Sequence, residues 1–176
     1  IFIITHPAKV LLFYELSFIP IGRIVTRGGI AAVRAYYESL GQEFVDALND
    51  MIVLDAIICN SDRHFGNLGV MVDSDTNKIV APAPLFDHGN SLFNFAGRDA
   101  LESEESFQEY VDTLLPCVYD DYIAEAKAVL TNRHKAGLRH LLTFEFKAHS
   151  TYNLPAKRLK LIQNQVRKRA ALLLDA

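Results

Sequence analysis

Between residues 42 and 72 the chain passes from an apolar helix pattern through a knot of polar groups and into a second apolar run, and this stretch narrows the possible folds most. Phe44, Val45, Leu48, Ile52, Val53, Ile57 and Ile58 recur at helical spacing, which predicts a buried helix over 42–58. "CNSDRHFGN" at 59–67 then gathers an Asp, an Arg, a His and two Asn around one glycine. Residues 68–72 read as a strand, "DSDTN" at 73–77 as a turn, and 78–81 as the returning strand, stopped by Pro82 and Pro84. The polar residues are thus a loop mounted between packed elements, where catalytic groups are commonly carried. Beyond the hairpin comes a second polar loop, "APLFDHGNS" at 83–91. The turn brings the chain back on itself, so Asp87 is expected near Asp62 and Asn67.

The remainder is mostly helical in pattern. Ile30, Val33, Tyr36, Tyr37 and Leu40 predict a helix over 30–40 ended by Gly41. Phe107, Tyr110, Val111 and Leu114 predict another, and Tyr122, Ile123, Ala126, Val129 and Leu130 a third. A helix is expected over 138–146, and a last one over 154–174 with Leu161, Ile162, Val166, Ala170 and Leu173 on one stripe. Residues 1–29 mix short β-favouring runs with Pro7, Pro20, Gly22, Gly28 and Gly29 and read as short strands or loops. Within them "RIVTRGG" at 23–29 lacks the spacing of a phosphate cradle and reads as a turn before a helix. The expected class is mainly α, formally α+β, with one short hairpin carrying both polar loops.

With 176 residues, 50% of them hydrophobic, the chain is expected to form a single domain over 1–176: lead-in 1–29, helices and hairpin 30–93, helical bundle 94–176. A net charge of −3 gives no electrostatic reason to expect direct nucleic-acid or membrane binding. No apolar run approaches the roughly 18 residues that span a bilayer, since Glu15 and Pro20 interrupt the N-terminal ones. Nothing there reads as a signal peptide. Cys59 and Cys117 form no CxxC pair, so a reducing cytoplasm is the expected compartment. Charge is uneven along the chain. Residues 99–125 carry nine acids and no Lys or Arg, while 157–169 carry six bases and no acid. These read as solvated faces that could oppose each other.

Asp62 and Asn67 have four residues between them, the spacing of a kinase catalytic loop in which the Asp accepts a hydroxyl proton and the Asn holds Mg²⁺. "DRHFGN" resembles the catalytic loop of phosphoinositide-kinase-like enzymes. "NSDRHFGNLGV" together with "APLFDHG" more closely resembles the HipA-like kinases, a bacterial family with a protein-kinase-like fold, and "DHG" at 87–89 stands where protein kinases have DFG. The resemblance covers 42–93 and extends to the rest only in layout. It implies the C-terminal catalytic lobe of a kinase, with ATP and Mg²⁺ as cofactors, a protein Ser or Thr as acceptor, and an antitoxin-like partner. Asp62 and His64 would be catalytic; His64, Phe65, Gly66, Asn67, Phe86 and Asp87 would contact nucleotide; Asn67 and Asp87 would hold the metal. Hard oxygen donors of this kind suit Mg²⁺, and an imidazole such as that of His64 can donate to a phosphate oxygen. Fewer than 30 residues precede the first predicted helix, with Lys9 their only lysine. The strand-rich N-terminal lobe is therefore expected to be missing, leaving a lobe inactive alone.

Two other functions fit some of the residues. Asp62, His64, Asp87 and His88 resemble the ligand types of a metal-dependent phosphoesterase, although no β-α alternation is present to place them at strand ends. A non-catalytic kinase-like binding module is the third reading. Arg63 suits an ion pair as well as a phosphate contact. His88 is expected to pack beneath its loop, Asn90 and Ser91 to cap the next segment, and His134, His140 and His149 to lie on helices in surface or core roles.

Overall fold

In the computed structural model, which describes residues 16–175, the predicted hairpin gains a third strand. Strand β1 (Leu16–Pro20) pairs antiparallel with β2 (Gly69–Asp73), and β2 pairs antiparallel with β3 (Ile79–Pro82), in the order β1-β2-β3. Helices follow the pattern read from the sequence: α1 (Gly29–Leu40), α2 (Gln42–Ile58), α3 (Glu104–Asp112), α4 (Tyr122–Val129), α5 (Asn132–Leu141) and α6 (Ala156–Leu174). The class is mainly helical α+β. Residues 1–15, which include Lys9 and most of the predicted lead-in, lie outside the described residues. Among the described residues no helix is long and apolar enough to cross a membrane. The chain divides into two compact units, Ile1–Val45 with Phe65–Phe86, and Asp46–His64 with Asp87–Ala176.

In the first unit the sheet is built around β2, whose first four residues are all buried. Gly69 opens that strand because a Cβ there would meet the Ile19 carbonyl oxygen at 2.1 Å, so only glycine lets β1 approach. The Tyr37 hydroxyl donates to the Gly69 carbonyl at 2.8 Å and ties α1 to the sheet. The turn after β2 is closed by Asp73, whose Oδ1 accepts from the Asp75 and Thr76 amides at 3.0 and 2.8 Å and from the Thr76 hydroxyl at 2.9 Å. Those bonds hold the Asp73 carboxyl below the usual range. Asn77, at φ +56°, completes the reversal in the left-handed region that Asn tolerates.

The second unit has α6 at its centre, with α4 and α5 packed on it. Its predicted stripe is buried as expected, together with Gln165 and Arg169. Arg169 lies over the Tyr122 ring at 5.3 Å and donates to the Ala56 carbonyl, fixing α6 to α2. Each fully buried aliphatic side chain here contributes about 1.5–3 kcal/mol, and Ile52, Leu48, Leu138 and Leu173 are all of that kind. Among the described residues the acidic and basic runs meet through hydrogen bonds: Lys157 donates to the Glu102 backbone carbonyl, Asn164 to the Glu104 carboxylate, and Lys168 to the Gln108 side-chain Oε1.

One helix differs from expectation. The pattern over 138–146 predicted a helix that in fact runs Asn132–Leu141, and 144–149 has no regular structure. Its N-terminus is set by chemistry rather than periodicity. Thr131 accepts from the His134 amide and the His134 ring accepts from the Thr131 amide, a reciprocal cap. The opposite edge of that ring meets Asp50 at 2.7 Å. His140 lies on the helix and is exposed, whereas His149 lies in a turn that its own ring organises by accepting the Thr151 and Tyr152 amides.

Candidate active site

Within the second unit, the segments 59–64 and 87–94 are laced together. The backbone makes two of the links: Ser61 N–H donates to the Asn90 carbonyl at 3.3 Å, and Leu92 N–H to the Ile58 carbonyl at 2.7 Å. Side chains make two more. Asn90 Nδ2 donates to Asp62 Oδ2 at 2.9 Å, and Arg63 Nη2 lies 2.9 Å from His88 Nδ1. A guanidinium only donates, so His88 Nδ1 accepts and the ring proton resides on Nε2. Asp62 and the Asp87 loop thus share one region of this unit, as the hairpin argument expected for those two residues.

Asp62 is half-buried at the end of a tight turn. Its amide donates to Asn60 Oδ1 at 3.2 Å, and the Asn60 side chain in turn donates to Asp55. Arg63 points the other way, into the core. Its Nε and Nη2 donate to the two carboxylate oxygens of Asp55 at 2.8 and 3.0 Å, with both side chains almost wholly out of solvent (1% and 0% exposed). Burial pushes the Asp55 carboxyl up, against the pull of the Arg63 hydrogen bonds. Arg63 is therefore a structural ion-pair partner that anchors the loop, and Asp62 is presented by what its neighbour buries. His64, next along, is exposed.

Asp87 is exposed and sits at φ +58°. Leu92 and Phe93 adopt φ +52° and +61°, which is uncommon for bulky residues and persists only where the surroundings enforce it. Arg158 supplies part of that enforcement: its Nη2 donates to the Phe93 and Asn94 carbonyls at 3.1 and 2.8 Å. His88 is exposed rather than packed beneath the loop, and its ring reaches back to Arg63. Asn90 was expected to cap a following segment and instead holds Asp62. Ser91 is buried, and its hydroxyl has no partner among the described residues. Asp55 and Arg158 were not singled out from the sequence as site residues. A lone acid on the buried face of α2, eight residues before Arg63, was the one signal available for the first of them.

The first unit holds the other predicted site residues. Phe65 and Leu68 give their carbonyls to the Gly22 and Ile21 amides at 3.1 and 2.8 Å, which pins 65–68 to the 3-10 turn Ile21–Arg23. Phe65 and Gly66 are half-buried, and Asn67 is buried at 4% exposure. Phe86 is partly exposed and meets Phe18 edge-on at 5.2 Å. Among the described residues no three His, Cys, Asp or Glu side chains gather in a way that could hold a metal by themselves.

The architecture has a known counterpart. The crystal structure of a Helicobacter pylori proinflammatory kinase, CtkA, superposes with a TM-score of 0.57 at 15% sequence identity, covering 92% of this chain and 70% of that one. At that identity the likeness speaks for the fold alone, which is kinase-like. No protein-family model and no curated protein sequence matches the chain.

Proposed function

We propose that the chain is the catalytic part of an ATP- and Mg²⁺-dependent phosphotransferase of the HipA-like kind, acting on a serine or threonine hydroxyl of a protein. The observation that carries this reading is the hydrogen bond from Asn90 to Asp62, which ties a catalytic-loop motif to the residue that directly follows a DHG motif, within a kinase-like fold.

Phosphoryl transfer passes through a loose transition state, so catalysis consists of positioning and charge neutralisation. Asp62 accepts the proton of the acceptor hydroxyl as its oxygen bonds to the γ-phosphorus and the β–γ bridge bond breaks. Asn90 occupies one carboxylate oxygen of Asp62 and so restricts its direction. Asp87 would supply the anionic metal ligand and, by the same motif, Asn67 would supply an amide oxygen; such a donor set is hard oxygen throughout, which fits Mg²⁺. Bound there, the metal would neutralise charge on the β- and γ-phosphates. His64, being exposed, can donate to a phosphate oxygen, and Phe65, Gly66 and Phe86 complete the nucleotide contacts assigned by the motif.

Separate roles predict separate defects. In the natural full-length polypeptide, Asp87→Ala should weaken Mg²⁺-dependent ATP binding at least tenfold, on the order of one lost charged interaction. Asp62→Asn, which is isosteric and touches no metal in this scheme, should leave ATP affinity within about twofold of the parent, since no charged ligand contact is removed. Isothermal titration with ATP in the presence and absence of Mg²⁺ reads both. Equal loss of nucleotide affinity in the two variants would contradict the assignment.

A further inference from the structure

Beside the segment 89–94, the second unit contains a pocket of about 390 Å³ that the phosphotransfer scheme does not use. Leu92, Phe146, Leu154, Leu159 and Ile162 make its apolar walls. Its polar lining includes Ser91 and Arg158, and Arg158 is the single formal charge, with no carboxylate facing it from the walls. Two atoms of these residues stand out. Ser91 Oγ and Arg158 Nε are buried without a hydrogen-bond partner among the described residues, and Ser91 as a whole is only 7% exposed. Arg158 uses its other nitrogens on the carbonyls of Phe93, Asn94 and Ala96. Buried polar groups are normally satisfied, so two orphans on residues that line one cavity call for a reason.

A third feature converges on the same place. Arg158 and Leu159 belong to the first turn of α6, which follows Pro155 with no side-chain cap and no acidic residue in that turn. The positive end of a 19-residue helix is therefore left without a neutralising group of its own. Dipole, guanidinium and hydroxyl all favour an anion, while five apolar side chains favour a greasy body. The charge present is one, and two guanidinium N–H groups remain, one on Nε and one on Nη1, which suits the two oxygens of a singly charged carboxylate. The cavity volume lies at the lower end of small-ligand pockets.

We propose that this pocket binds a small carboxylic acid carried on an apolar body. Ser91 and Arg158 take the carboxylate, and the walls from Leu92, Phe146 and the start of α6 take the tail. Because Ser91 lies four residues after Asp87, occupancy would also steady the loop that follows the DHG motif.

Octanoate, octan-1-ol, octylamine and inorganic phosphate, titrated separately into the full-length polypeptide by calorimetry, test this without nucleotide, so the outcome is independent of the phosphotransfer reading. Octanoate should bind at one saturable site, with the other three at least tenfold weaker. Ser91→Ala should raise Tm, because it removes an unsatisfied buried hydroxyl, and yet lower octanoate affinity about fivefold, the worth of one hydrogen bond. Leu154→Trp, at a wall position that is 49% exposed and so tolerant of bulk, should block binding without unfolding the protein. No saturable octanoate binding would overturn the proposal. So would equal binding of octan-1-ol, which would indicate a plain apolar crevice, or unchanged affinity in Ser91→Ala.

Discussion

Arg63 and Asp55 form a bidentate pair in the core of the second unit, and the loop that presents Asp62 depends on it. Removing one member of a buried pair leaves the other charged, desolvated and alone. Arg63→Met should therefore cost about 3–5 kcal/mol in urea unfolding, while the double variant Asp55→Leu/Arg63→Met should recover much of that loss. A double variant no better than the single would mean that the pair matters for its packing alone. Cys59 gives a second test at this scale. It is buried with φ +49°, and burial pushes its thiol from 9.0 up to about 11. The folded state then holds its proton more tightly than the unfolded one, so this group's contribution to stability is present below pH 9 and fades as pH rises toward 11. At pH 8 a thiol reagent should label exposed Cys117 in the native protein and Cys59 only in denaturant, as read by peptide mass spectrometry. Asp62, Asn67 and Asp87 could be singled out as candidates in the sequence because a motif is a matter of spacing. The Asn90–Asp62 bond could not, because it joins residues 28 apart and exists only once the hairpin has closed.

At the scale of elements, apolar periodicity read α1, α2 and α6 to within two residues, because each buries a continuous stripe. Helix α5 escaped for the opposite reason: only His134 and Leu138 are buried along it, and its start is written in a Thr–His cap. Strand β1 falls in a lead-in read only as short strands or loops, because a five-residue run with an intermediate-to-exposed burial pattern carries no clear alternation. Its place is decided by a partner about 50 residues away, through the register Phe18 to Met71 and Pro20 to Gly69. Gly69 is the residue on which that pairing turns. Gly69→Ala would drive a methyl into the Ile19 carbonyl, so β1 must shift or detach. Hydrogen exchange of the β1 amides should accelerate by at least about tenfold, the equivalent of 1.4 kcal/mol of local opening, while α6 amides stay protected. Unchanged β1 protection would show that the strand can be accommodated with a side chain at position 69.

For the molecule as a whole, the fold class followed from helices, a hairpin and their order, and the likeness to a kinase of 15% identity shows how little sequence agreement such a fold needs. The site is different in kind: roles for Asp62, Asn67 and Asp87 rest on residue chemistry and motif spacing. The central claim is that Asp62 handles the acceptor proton, and one measurement addresses it most directly. The full-length polypeptide and its Asp62→Asn variant are each incubated with γ-labelled ATP and Mg²⁺, and label on protein hydroxyls is quantified alongside ATP binding. Loss of a general base typically costs about 10²–10⁴-fold in rate. The account predicts Mg²⁺-dependent labelling by the parent and a loss of at least about 10²-fold in Asp62→Asn with nucleotide still bound. Undiminished transfer by Asp62→Asn, or nucleotide binding by the parent with no transfer to any hydroxyl, would contradict it.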